Sequence, residues 1–323
     1  MSSEDRGETT TKLGYPLFDI DNHYYEPPNC FIDWVEPKYR DRAVRLEVQS
    51  DGTRQILFAD APLINDGTNF VGDRCVKPGA LREMLRSQQG GLPSDAATEP
   101  TRREYLERGP RLALMDEQGL ESICLFPSLG VMLEYWMQHD APLLYACFEG
   151  FNRFLDETWG FDFEGRIYTA PVISLLDRDL AVKQLEEVIR RGARLITMAA
   201  GPAYGRAPAD PYFDPFWARA DEAGLSVVYH IGESGYVHRY ADDWGEQPNP
   251  RSYARSAFQW SNFMGDRPLM DTLSSLIFHN FFGRFPNINV LSVENGSFWV
   301  PYLLKVLDKF KGMGRGGPWP GGY

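Results

Sequence analysis

The chain has 323 residues, 43% of them hydrophobic and 24% charged, with a formal net charge of −12. A globule of this size buries roughly 75% of the surface its unfolded chain would expose, so a core is expected without disulfide or metal staples. The acidic balance argues against nucleic acid or an anionic membrane surface as the main partner, and no apolar run approaches the ~18–20 residues of a membrane span. The N-terminus, MSSEDRGETTTK, carries acids where a signal peptide carries a basic start and an apolar stretch, so a cytoplasmic location is expected. Cys30, Cys75, Cys124 and Cys147 lie far apart with no CxxC pair, which predicts reduced, mostly buried thiols.

In chain order, residues 1–14 read as a disordered lead and PLFDID as a first strand. Arg42 to Asp60 holds two β-rich runs around Asp51-Gly52, a hairpin signal. Residues 65–105 are rich in Gly, Pro and charge and read as a long irregular excursion, so 42–105 is taken as an insertion after strand 1. A regular alternation follows. LERGPRLALMDEQGL is a helix stopping at Gly119, and ESICLFPSLG a buried strand. LLYACFEGFNRFLDETWGF is a helix and RIYTAPVIS a strand; DRDLAVKQLEEVIRRG is a helix opened by an Asp cap and closed by Gly192, and ARLITMAAG a strand. DPFWARADEAGL, SVVYHIGES, a helical region over 252–284, NINVLSVENG and FWVPYLLKVLDKF complete the series.

The strands are continuous apolar runs, as expected when helices cover both faces, and strict strand–helix alternation predicts an α/β fold with a parallel sheet. Six strands are counted; a closed (β/α)8 barrel has eight. One domain is expected over 15–312, with a Gly/Pro-rich tail at 313–323. The GMGRGG stretch in that tail follows a helix and opens none, so it is not a dinucleotide fingerprint.

Enzymes of this class hold their chemistry at the C-terminal ends of the strands. The first strand ends in Asp21-Asn22-His23, whose alternation puts Asp21 and His23 on one face. The fifth ends at His230 and the sixth at Glu294. Two carboxylates and two imidazoles from three strand ends suit Zn²⁺ or another divalent transition metal. The alternatives are a capping Asp in a solvated turn, a rim histidine at 230 and a helix-capping acid at 294. His279, on a mostly apolar helix, is either a core or helix-end residue or a catalytic group of the substrate pocket. His238 is placed in a solvated loop, and His139 stands between a surface and a pocket position. Trp136, Tyr204, Tyr212 and Trp217, in or near loops, would suit a planar substrate or simply core packing.

The stretches DIDNHYYEPP, LALMDEQGLESICLFPSLG, FNRFL, DPFWARADEAGLSVVYHIG and FFGRFPNINVLSVENGSFWVPYLL, in this order, resemble the amidohydrolase-related family. The resemblance is to its branch of aminocarboxymuconate-semialdehyde decarboxylase-like enzymes and runs from about residue 16 to 310. It implies a distorted TIM-barrel-like (β/α) fold and one divalent metal ion, Zn²⁺ or alternatively Mn²⁺. Asp21 and His23 match the first-strand ligand pair and His230 the fifth-strand ligand. The family's sixth strand commonly ends in a histidine that acts on the water or the substrate; here Glu294 stands there, able to act as a base but not as an imidazolium. The family's last ligand, an aspartate on strand eight in a G-S/T-D-x-P-like segment, has no counterpart, so a barrel incomplete at its C-terminus is expected. The resemblance implies a metal-dependent enzyme that hydrolyses, or decarboxylates without oxidation, a small aromatic or carboxylate-bearing substrate, with Glu294 and His279 as catalytic candidates. The alternative is an impaired family member acting as a ligand-binding or interaction protein. Unpaired sheet edges predict a homo-oligomer.

Overall fold

The computed structural model describes residues 14–48, 50, 54–64, 74–88, 97–248, 250, 255–263 and 266–322. Its frame is six parallel strands: β1 (Leu17–Tyr24), β2 (Leu120–Pro127), β3 (Ile167–Thr169), β4 (Leu195–Thr197), β5 (Ser226–His230) and β6 (Asn289–Val293). Ladders join β1 to β2 to β3, and β4 to β5 to β6. A bridge between Val172 and Thr197 links the two groups, with Thr197 N–H donating to Pro171 O at 2.9 Å and Ile173 N–H to Thr197 O at 3.1 Å. The strands therefore follow one another in chain order, as successive right-handed βα units place them.

The outer helices are α1 (Arg108–Gln118), α2 (Ala141–Thr158), α3 (Arg178–Arg190), α4 (Asp214–Glu222), α5 (Asp266–Phe278) and α6 (Val300–Met313). Their ends follow the chemistry of the sequence. Asp177 caps α3 by accepting from the N–H groups of Asp179 and Leu180, and Gly119 after α1 takes φ +70°, which costs glycine little.

Alternation along the strands divides the core. Ile123, Leu125, Ile196, Val227 and Tyr229 point outward into a large cluster with the helices. Cys124, Phe126, Ala170, Leu195, Val228 and Val293 point inward and form a small cluster of their own. This inner plug closes the concave side of the sheet beneath the C-terminal strand ends. All four cysteines are buried and unpaired, as expected.

After β1 the two β-rich runs expected between Arg42 and Asp60 form strands, a third strand extends them, and part of the stretch read as irregular is regular structure. Arg45–Val48, Arg54–Phe58 and Ala61–Ile64 form an antiparallel meander whose Ile56 and Phe58 join the large core. The Asp51-Gly52 turn lies outside the described residues, as do residues 1–13 of the lead. Further on, Arg74–Val76 pairs with Thr98–Pro100, and Leu81–Gln88 is helical. Tyr236–Trp244 is a helix where a loop carrying a solvated His238 is expected; the His238 ring lies 6.0 Å from that of Tyr135. The helical region at 252–284 divides into Ala257–Phe263, α5 and Phe281–Arg284. Among the described residues no helix is long and apolar enough to cross a membrane.

Candidate metal centre

The C-terminal ends of β1, β5 and β6 bring together Asp21, His23, His230 and Glu294, whose ligand-type atoms all lie within 4.8 Å of one another. His230 Nε2 stands 3.5 Å from Asp21 Oδ1 and 3.6 Å from Glu294 Oε2, and His23 Nε2 is 3.6 Å from Asp21 Oδ1. The two imidazoles meet edge to face, with ring centroids 4.9 Å apart, above Phe126 of the inner plug.

Each ligand is positioned by local structure. In β1 the register slips between Asp19, opposite Ile123, and Asn22, opposite Leu125, so three steps on one strand match two on the other. Asp19 holds this bulge: its Oδ1 accepts from Asp21 N–H at 3.1 Å and its Oδ2 from Asn22 Nδ2 at 2.8 Å. A buried arginine then clamps the strand end. Arg111 of α1, 4% exposed, donates to Asn22 Oδ1 (2.8 Å), to His23 O (2.7 Å) and to Glu104 O (2.6 Å). At β5, His230 Nδ1 lies 2.8 Å from Ile231 O; a carbonyl only accepts, so the ring proton is on Nδ1 and Nε2 presents its lone pair. Glu294 takes a left-handed backbone conformation, φ +61°, and the following Asn295 ties β5 to β6 by donating to Tyr229 O (2.9 Å) and Val293 O (2.8 Å).

The electrostatics suit a cation. His230 Nε2 is buried and has no hydrogen-bond partner, which is costly unless something accepts its lone pair. The contact with His230, outweighing burial, holds the Asp21 carboxyl below its usual range, so it stays ionised. Burial, and next the neighbouring His230, push His23 down to about 4, so its ring is neutral near pH 7. Burial raises Glu294. A neutral His23 imidazole, an ionised Asp21 carboxylate and the unpartnered Nε2 of His230 are donors of the kind metal binding requires, and the mixed N/O set suits zinc or manganese. With the His230 side chain buried but those of Asp21 and Glu294 38% and 53% exposed, the cluster is closed below and open above.

A model of the amidohydrolase family matches residues 94–316. The chain belongs to the amidohydrolase family. An amidohydrolase from Mycobacterium avium subsp. paratuberculosis is 33% identical to it, with a TM-score of 0.81, and the match covers 94% of this chain and 79% of that one. An IDCase from Metarhizium anisopliae shares the fold at 12% identity, TM-score 0.57, over 94% of this chain and 71% of that one. A 5-carboxyvanillate decarboxylase from Novosphingobium aromaticivorans, solved with manganese and 4-hydroxy-3-methoxy-5-nitrobenzoic acid, is 19% identical with a TM-score of 0.47; the chain covers 65% of its length, and 73% of this chain is matched. No curated protein matches the chain.

Beside the four-residue cluster of this amidohydrolase lies a cavity of about 450 Å³ at the ends of β3, β4 and β5, walled by Ile173, Leu175, Met198, Tyr204 and Tyr229 among others. A narrow cleft lined by His230, Glu134 and Glu233 adjoins it, and both acids also face the large cavity. Neither acid stands out in the sequence. Glu134 sits in the apolar run GVMLEYWM and Glu233 in the loop after β5; a lone acid inside an apolar run is the one signal that flags the former. Of the other expected site residues, His279 is not in the four-residue cluster: its Nδ1 lies 2.8 Å from Ser275 O of its own helix. The His139 ring packs on Phe58, 5.3 Å between centroids. Trp217 is fully buried in the core and Tyr204 faces the cavity.

Proposed function

We propose that this amidohydrolase is a metal-dependent enzyme in which Asp21, His23 and His230 hold one divalent ion, zinc or manganese, and Glu294 serves as the acid–base carboxylate. The observation that carries this reading is the buried lone pair of His230 Nε2, without a partner and within 3.6 Å of two carboxylates. The six-stranded arc is read as staves of a (β/α)8-type barrel with its chemistry at the usual end.

A divalent ion in such a cluster supplies Lewis acidity to a substrate oxygen and lowers the pKa of a nearby water to about 7. The chain's own residues supply the rest. The bulge and Arg111 keep Asp21 and His23 aimed at one point, the Ile231 carbonyl fixes the His230 tautomer, and the inner plug excludes water from below. Glu294, raised by burial yet with its side chain 53% exposed, can take a proton at its carboxylate and return it to a leaving group. That capacity supports hydrolysis of a small substrate held in the neighbouring cavity. Decarboxylation, which delivers a proton to carbon as CO₂ leaves, is the second reading, favoured by the same carboxylate acting as the proton donor.

The deciding experiment is elemental mass spectrometry of the purified chain, followed by a panel of amides, lactones and hydroxybenzoates scored for hydrolysis and for CO₂ release. About one metal per chain with hydrolysis supports the leading reading. CO₂ release without hydrolysis moves the assignment to the second, and a chain that takes up no metal on titration rejects both.

A further inference from the structure

The large cavity contains a polar device that the metal centre does not use. Glu134, 6% exposed, lies in its wall, and two hydroxyls converge on one of its oxygens: Ser174 Oγ donates to Oε1 at 2.6 Å and Tyr204 O–H donates to Oε1 at 2.7 Å. The Ser174 hydroxyl is itself oriented, since it accepts from Leu176 N–H at 3.1 Å. The second oxygen, Oε2, is engaged by neither hydroxyl, and the carboxyl also has the backbone N–H of Ala199 as a donor. Tyr204 is held in place at a cost, with φ +49° in the left-handed region that side chains other than glycine rarely adopt. Backbone strain of this kind persists where the surroundings enforce it and gathers at functional sites. The same glutamate lines the cleft that reaches His230, so the device stands between the cavity and the metal cluster.

We infer that Glu134, positioned by Ser174 and Tyr204, is the specificity-determining residue of this site and hydrogen-bonds a hydroxyl or amide N–H of an uncharged substrate with an apolar body. The inference rests on the metal-dependent reading for the location of the reacting atoms. The rest of the wall fits this class: Ile173, Leu175, Met198 and Tyr229 offer apolar surface, and Glu233 places a second buried acid at the cleft. Burial raises the Glu134 carboxyl and pushes Glu233 up to about 7, and either acid would repel a carboxylate when ionised. With Oε1 already accepting twice, an acid proton on Glu134 belongs on Oε2. A substrate hydroxyl can then accept from that proton, or donate to Oε2 when the acid is ionised. Arg239, which also lines the cavity, is exposed, so its charge stands at the rim rather than beside the acids.

The test uses two matched rings, resorcinol and 3-hydroxybenzoate, titrated into the full metal-loaded chain and followed by ligand-observed NMR. Resorcinol is expected to bind at least tenfold more tightly than 3-hydroxybenzoate. Tyr204→Phe and Glu134→Gln should each weaken resorcinol by roughly tenfold, the worth of one hydrogen bond, and narrow its advantage over the anion. Tyr204→Phe keeps the ring, so a folding defect in Glu134→Gln, visible in Tm, does not remove the test. Preference for 3-hydroxybenzoate, no resorcinol binding, or resorcinol affinity untouched in both variants overturns the inference. A chain that binds no metal yet retains Tyr204-dependent selectivity would reject the metal-dependent reading and leave this one standing.

Discussion

His23, on the edge strand β1, and His230, on β5 between β4 and β6, meet edge to face with their ring centroids 4.9 Å apart. Strand pairing does not bring them together, since β1 and β5 share no ladder. The curl of the sheet does, and the four groups clustered there acquire a common property: each can give an electron pair to the same point.

A bound ion should therefore stabilise the fold measurably. Stripping metal with a chelator is expected to lower Tm by about 4 °C, since a ligand present at about 100 times its Kd contributes about 2.7 kcal/mol and a chain of 323 residues unfolds with an entropy of about 0.7 kcal/mol/K. In His230→Ala the metal equivalent and the Tm difference should vanish together. A chelator-induced shift of the same size in that variant would place the ion elsewhere.

Arg111 makes a second, less direct prediction. Three of its N–H groups serve Asn22, His23 and Glu104, and a lysine ammonium lacks the fork to reach all three. Arg111→Lys should cost roughly tenfold or more in metal affinity, as losses around a ligand typically do, read by competition with a chromogenic chelator. Unchanged affinity would show that the bulge alone aims the ligands.

These relationships were only partly visible in the primary structure. The six strands and the residues at their ends were legible because continuous apolar runs, caps and closing glycines are local signals. Asp21, His23, His230 and Glu294 were legible as strand-end residues of metal-ligating type. Arg111 was not: in LERGPRLALMDEQ it reads as an ordinary helix-face charge, and only tertiary packing makes it a buried clamp. Glu26, Glu134 and Glu233 escaped for the same reason, since burial of a lone acid depends on what folds over it. The helix holding His238 was missed because YVHRYADDW is short, polar overall and bracketed by Gly235 and Gly245, which read as loop; of the meander after β1, the two runs of the hairpin were legible and only the third strand, Ala61–Ile64, was not.

Glu26 supplies a pH dependence. It is fully buried, its Oε1 accepts from Leu129 N–H (2.7 Å) and Gly130 N–H (3.1 Å), and burial pushes its carboxyl up from 4.5 to about 7. Between those values the folded chain binds this proton more tightly than the unfolded chain. The stabilisation is thus complete below pH 4.5 and lost as pH rises through 7. Glu26→Gln keeps the acceptor and cannot ionise. Its stability relative to the parent, from urea unfolding, should rise between pH 5 and pH 8 by up to about 3 kcal/mol. Parallel profiles for the two proteins would count against a neutral Glu26.

Gly150 sets propensity against packing. It lies within α2, where alanine ordinarily gains about 0.5–1 kcal/mol over glycine. A Cβ there would stand 3.0 Å from Val35 N, 3.1 Å from Val35 Cα and 3.2 Å from Trp34 C, all backbone atoms. Gly150→Ala should accordingly lose about 1–3 kcal/mol, as overpacked sites do, and a rise in Tm would show that the 34–35 segment yields.

The bulge in β1 makes the proposed metal centre depend on counting as well as on chemistry. One residue more than its partner strand needs lies between Asp19 and Asn22, and every side chain beyond it is phased by that surplus. Removing Asn22 would leave every candidate ligand in the chain and take out the surplus, yet it would set Asp21 opposite Leu125, on the strand face away from His23 and His230. In this strand a change of length by one residue would do more harm than most changes of residue type, and a family alignment of this segment should tolerate substitution while resisting gaps.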